Sequence, residues 1–147
     1  MMDLHLRQVF FTPDGWPVVS PERYTGSVSR KFSAEDMAGE WEVIRIQEPA
    51  YERRLQAGQI LWGEGQLKEE EWNVSHLLSL EKNGHLGENK GTWELLEAKQ
   101  LLSLTLEGEI INNLIIFAGH DWENEKETVL FTGLDSCGRS IWGKRIK

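Results

Sequence analysis

The hydrophobic pattern of this chain has a period of two. Between Leu101 and Leu106 the residues Leu102, Leu104 and Leu106 share one face of a strand, which places that face against a core. Short apolar runs recur along the chain and turn-forming residues break them roughly every eight to twelve positions, the mark of an all-β domain. The runs predict strands at Leu4 to Thr12, Glu40 to Ile46, Gln59 to Leu67, Asn73 to Glu81, His85 to Glu88 and Thr92 to Leu96. Leu101 to Leu106, Glu109 to Ala118, Thr128 to Thr132 and Ser140 to Ile146 complete the series. Glu109 to Ala118 is apolar enough for a helix, but its β-branched isoleucines and the flanking Gly108 and Gly119 favour a strand. Pro13-Asp14-Gly15, Asn83-Gly84 and Asp135-Ser136-Cys137-Gly138 supply the turns.

Two stretches depart from the alternation. Pro17 and Pro21 keep the segment after the first turn extended or irregular, and Ser27 to Phe32 is a short strand or a linker. Ser33-Ala34-Glu35-Asp36 has the form of a helix start, and Gly39 ends that helix after about one turn. Eight or nine consecutive short strands joined by tight turns suit an up-and-down antiparallel barrel, which removes its own edges. A sandwich would need longer crossovers. The expected organisation is a lead-in at 1–32 followed by a barrel at 33–147.

A chain of 147 residues suits one domain with a real core. The net charge of −8 speaks against nucleic-acid and anionic-membrane partners, which require basic patches. The single Cys137 excludes an internal disulfide. No apolar run approaches the roughly 18 residues of a membrane-spanning helix. Asp3, His5, Arg7 and Gln8 interrupt the layout of a signal peptide. A complete gene product with this start is expected in the cytoplasm, an inference that fails for a fragment.

Candidate chemistry is sparse. Glu69-Glu70-Glu71 and the series Asp121, Glu123, Glu125 and Glu127 read as solvated surface, because carboxylates are seldom buried. Glu42 and Glu94 sit singly on strands, where alternation puts them outside. No nucleophile elbow, phosphate loop or Cys-x-x-Cys pair occurs. His5, His76, His85 and His120 lack the spacing of a zinc site. No catalytic residue, metal or cofactor is expected.

The run Phe10-Phe11-Thr12-Pro13-Asp14-Gly15-Trp16-Pro17-Val18-Val19-Ser20-Pro21-Glu22-Arg23-Tyr24 resembles the junction between the catalytic propeller and the C-terminal domain of family 43 endo-arabinanases, enzymes that cut α-1,5-linked arabinan. Gly39-Glu40-Trp41, after a one-turn helix, is similar to the Gly-x-Trp opening of lipocalin-like barrels, and Gly91-Thr92-Trp93 partly echoes it. The resemblance implies a lipocalin-like barrel whose closed end holds Gly39 and Trp41. A basic residue of the last strand, Arg145 or else Lys144, would cover that Trp by cation–π contact. It also implies a non-catalytic accessory domain: the paired carboxylates of glycoside hydrolysis belong to the propeller, which would be the partner in cis or in trans. A secreted arabinanase would place it outside the cell. Arabinan oligosaccharides would be met by exposed aromatic residues. Trp16, Trp62, Trp72 and Trp122 are the candidates, with Arg23 and Tyr24 as further contacts to sugar or propeller. Trp41 and Trp93 read as core, and Trp142 as either. The alternative is a stand-alone barrel binding carbohydrate or a small apolar ligand.

Overall fold

Alternating strands close on themselves when each finds a partner on both sides, and this chain does so. The computed structural model describes residues 5–46 and 74–147. A hairpin of β1 (Val9–Phe11) and β2 (Pro17–Val19) comes first, then the short helix α1 (Ala34–Met37). Eight strands follow: β3 (Gly39–Arg45), β4 (His76–Leu80), β5 (His85–Leu86), β6 (Gly91–Leu96), β7 (Leu101–Leu106), β8 (Glu109–Asp121), β9 (Lys126–Leu134) and β10 (Ser140–Arg145). Each pairs antiparallel with the next, and β10 returns to β3 to close the barrel. The expected strand at Gln59 to Leu67 lies outside the described residues.

The barrel is filled. Trp41, Leu80, Leu86, Leu102, Leu104, Ile111, Leu114, Phe131 and Ile141 are buried and belong to one cluster with Met37 and Trp93. Fully burying one such side chain contributes about 1.5–3 kcal/mol.

The two Gly-x-Trp segments share one design. Gly39 and Gly91 open β3 and β6 with φ of 142° and 147°. A Cβ would stand 2.1 Å from the Lys147 carbonyl oxygen at Gly39, and 1.8 Å from that of Thr105 at Gly91. Both positions therefore need glycine on conformational and steric grounds. Two residues on, each Trp is buried and its indole N–H donates to a backbone carbonyl: Trp41 to Met37 at 2.8 Å, Trp93 to Glu81 at 2.9 Å. The helix before the first segment is closed by the reciprocal pair Ser33 and Asp36.

Several expectations need correction. The first strand is confined to Val9–Phe11, and before it the Arg7 guanidinium donates to the carbonyls of Ser20 and Pro21. Pro17 opens a real strand, at the terminal position where its missing N–H is tolerated. Of the two forms expected for Ser27 to Phe32, a short strand or a linker, the structure has the linker. The partner strand after Asn83-Gly84 stops at Leu86, because Glu88 and Asn89 have φ of 58° and 54°. Gly119 lies inside β8, where Leu130 packs on it. Arg145 stands opposite Trp41 in the β10–β3 register, yet its guanidinium lies against Gly39 and forms no cation–π contact with Trp41. Trp41 packs instead on Phe131, ring centroids 5.5 Å apart.

Candidate functional site

The described part of the lead-in is bound to the barrel at several points. On the hairpin's inner face Phe10 lies opposite Val18; Phe10 stacks on Phe117 at 4.5 Å, and Val18 is buried. The Thr132 hydroxyl donates to the Val19 carbonyl at 2.6 Å. Farther along, Arg7 stands 5.9 Å over the Trp142 ring and Arg23 4.2 Å over that of Trp122.

A buried charge cluster fastens the same seam. Lys144 Nζ on β10 reaches Asp121 at 3.0 Å, Glu22 of the lead-in at 3.3 Å and the exposed Glu123 at 3.3 Å. Asp121 also accepts from Asn124 Nδ2 at 2.6 Å and from the backbone N–H of Glu123. Burial works to raise the Asp121 carboxyl, but the hydrogen bonds of Asn124 and Lys144 outweigh it and hold it below its ordinary value. Burial likewise pushes the Lys144 ammonium down, and its bonds to Asp121 and Glu22 hold it above its ordinary value. Asp121 is thus no solvated surface acid: its side chain is fully buried, because the lead-in covers this part of the barrel. A lysine within Ile141-Trp142-Gly143-Lys144 was the available signal for the cluster. The contribution of Glu22, over a hundred positions away, had none.

The hairpin's outer face is the reverse. Val9 pairs with Val19 and Phe11 with Pro17, and all four side chains are exposed. Of the twelve large apolar side chains exposed among the described residues, seven lie in the lead-in: Leu6, Val9, Phe11, Trp16, Val19, Tyr24 and Val28.

At the hairpin tip the turn holds Trp16 out. The Thr12 N–H donates to the Trp16 carbonyl at 2.9 Å, and the Trp16 N–H to Thr12 Oγ1 at 3.0 Å. Trp16 is 60% exposed and borders a groove of about 280 Å³ shared with Asp14, Asn112, Asn113 and Ser136. The groove's far wall is the β9–β10 turn. Asp135 pins that turn by accepting from the Arg139 guanidinium at 3.0 Å and from the Cys137 N–H at 2.9 Å. Beside it Arg45 bonds Glu109 at 2.6 Å, and the Ser136 hydroxyl holds the Glu109 carboxyl below its ordinary value.

The expected contact residues therefore divide. Trp16 and Tyr24 are exposed on the lead-in, while Arg23 and Trp122 are joined to each other across the seam. The arginine occupies one Trp122 face, and His120 meets that ring edge-on at 4.9 Å. Trp142 is half-buried beneath Arg7. Trp62 and Trp72 lie outside the described residues. Asn112 and Asn113 went unnoticed in the sequence, although two adjacent amides interrupting Ile110-Ile111 and Leu114-Ile115 marked the place. Among the described residues no three His, Cys, Asp or Glu side chains gather as a metal site.

A family model described as a C-terminal lipocalin-like domain (GH43_C) matches residues 21–143. The chain is 26% identical to an extracellular endo-α-(1→5)-L-arabinanase of Bacillus subtilis, across 97% of its own length and 26% of the enzyme's. It is 28% identical to the corresponding Thermotoga petrophila enzyme, across 98% of its own length and 27% of the enzyme's. The chain thus spans about a quarter of the relatives it matches. Among solved structures, it superposes on a family 43 glycoside hydrolase from Bacillus licheniformis with a TM-score of 0.71 at 23% identity, covering 97% of this chain and 28% of that one. The T. petrophila endo-1,5-α-L-arabinanase gives 0.67 at 22%, covering 97% and 29%.

Proposed function

The chain belongs to the family of C-terminal lipocalin-like domains of family 43 glycoside hydrolases, and from that premise we propose that it is the accessory, non-catalytic domain of an extracellular endo-α-1,5-arabinanase. The domain belongs to proteins whose catalytic propeller is part of the same chain. Its task in this reading is to stabilise that propeller through the lead-in, residues 1–32, with the barrel at 33–147 as the rigid support.

The observation that carries this is the outer face of the β1–β2 hairpin. An isolated two-stranded hairpin is marginal in water, and this one is held by its inner face on the barrel. Its outer face is apolar at every position, with Val9, Phe11, Pro17 and Val19 together. Clustered exposed apolar side chains mark an interaction site. In this reading the occupant of the face is the propeller that such proteins carry in the same chain. Tyr24 and Leu6 are further exposed apolar groups of the lead-in, and Arg23 ties the lead-in to the barrel through Trp122.

The test is complementation. A truncated family 43 arabinanase propeller mixed with this chain should form a complex on size exclusion and regain hydrolysis of linear arabinan. Separate elution together with unchanged activity overturns the proposal. Contact with arabinan oligosaccharides is a second element of the reading, favoured by the exposed Trp16.

A further inference from the structure

We propose that the groove under Trp16 is a saccharide subsite on the barrel wall, taking one or two residues of a neutral arabino-oligosaccharide. The inference rests on the arabinanase reading above for its sugar, and on the local geometry for its place.

The geometry begins with a bulge. In the β7–β8 pairing Leu102 faces Leu114 while Leu104 faces Ile111, so Asn112 and Asn113 together oppose Ser103. Asn113 takes up the extra length with φ of 62°, a left-handed conformation that non-glycine residues seldom adopt and asparagine tolerates best. Bulges re-aim side chains and are frequent next to binding sites. Here the bulge sets two adjacent amides on the wall of a groove whose rim carries an exposed indole. Close approach behind it is possible because residue 133 is glycine: a Cβ there would stand 2.5 Å from Leu114 Cδ2 and 3.6 Å from the Asn113 carbonyl oxygen.

The chemistry fits a neutral sugar. An indole offers a flat apolar surface to ring C–H groups. Each Asn amide supplies both donors and an acceptor, the Ser136 hydroxyl can do either, and the Asp14 carboxylate accepts. Among the groove-lining residues, Asp14 and Asp135 are the charged ones, and Asp135 is engaged with Arg139 and Arg45. Among the described residues no cation lines the groove, so they offer little to an anionic ligand. Both walls are held before any ligand arrives, one by the Thr12–Trp16 hydrogen bonds and the other by the Asp135 turn. Preorganisation of this kind lowers the entropy cost of binding.

The subsite is tested on the chain alone. A linear α-1,5-linked arabino-oligosaccharide is titrated into isotopically labelled protein while the Trp16 indole N–H and the Asn112 and Asn113 side-chain amides are followed by NMR. These signals should shift together and saturably. By calorimetry Trp16→Ala should weaken binding about tenfold, and Asn113→Gly, which keeps the left-handed backbone, about fivefold. Thermal melts of both variants should match the parent, since Trp16 is exposed and glycine suits this φ. Unmoved signals, or affinity unchanged in Trp16→Ala, overturn the subsite. Neither outcome involves a propeller, so failure here leaves the docking proposal standing, and failure of complementation leaves this titration readable.

Discussion

Lys144 shows most clearly what one side chain does in this molecule. Its ammonium is the sole cation within reach of the buried Asp121 among the described ion pairs, so Lys144→Met leaves a carboxylate without its charge partner. Breaking a buried pair from one side costs about 3–5 kcal/mol. The lower figure is expected, because Asn124 and the Glu123 N–H remain on Asp121. The loss would be read as a shift in the urea midpoint at neutral pH. The pH dependence follows from Asp121, whose carboxyl is held below its ordinary value in the folded state. A group lowered on folding contributes stability that is complete above the unfolded pKa, about 3.9. That contribution disappears as pH falls through the lower folded value. Stability should therefore drop steeply below about pH 4, and less steeply in Asp121→Asn, as measured by thermal melts down the acid range. The sequence showed Lys144 only as a second choice for covering Trp41. Its burial arises from Glu22 and the lead-in folding over that position of β10. A contact at such a separation leaves no local trace.

At the scale of elements the sequence was legible wherever period two and a turn residue coincided. Leu101 to Leu106 is reproduced end to end, and Gly39-Glu40-Trp41 marked both the start of β3 and a buried indole. Where backbone strain decided the outcome, the pattern was silent. The bulge at Asn112-Asn113 sits inside an apolar run that reads as regular, and its surroundings, Ser103 opposite and Leu114 against Gly133, come from other strands. The bulge also makes a sharp prediction about β8. Asn113→Val places a β-branched residue at φ near 62° and should destabilise the chain by about 1–3 kcal/mol. Asn113→Gly should be neutral or slightly stabilising. Equal melting temperatures for the two variants would show that β8 straightens without cost, and that the amides are not held in place by the backbone.

For the whole molecule, the decisive fact is where apolar surface remains after the barrel has closed. Among the described residues the interior is packed with the chain's own side chains, and the small-ligand alternative would have to use a cavity such as that of about 510 Å³ walled in part by Arg45, Lys90 and Glu109. The lead-in holds most of the unburied large apolar groups that are described, and it is itself locked to the barrel by Phe10, Val18 and the Lys144 cluster. A segment anchored on one face and greasy on the other transmits rigidity to whatever covers it. Docking and folding should therefore separate by mutation. Phe11→Glu changes a side chain that is 68% exposed, and surface substitutions of that kind usually stay within about 0.5 kcal/mol. Its melting temperature alone in solution should match the parent. Mixed with a truncated family 43 propeller it should fail to associate, since a carboxylate would enter a desolvated apolar contact without a partner. Val18→Asp should behave oppositely, lowering the melting temperature of the isolated chain by loosening the hairpin from the barrel. If Phe11→Glu binds and reactivates the propeller as well as the parent does, the hairpin's outer face is not where the two domains meet.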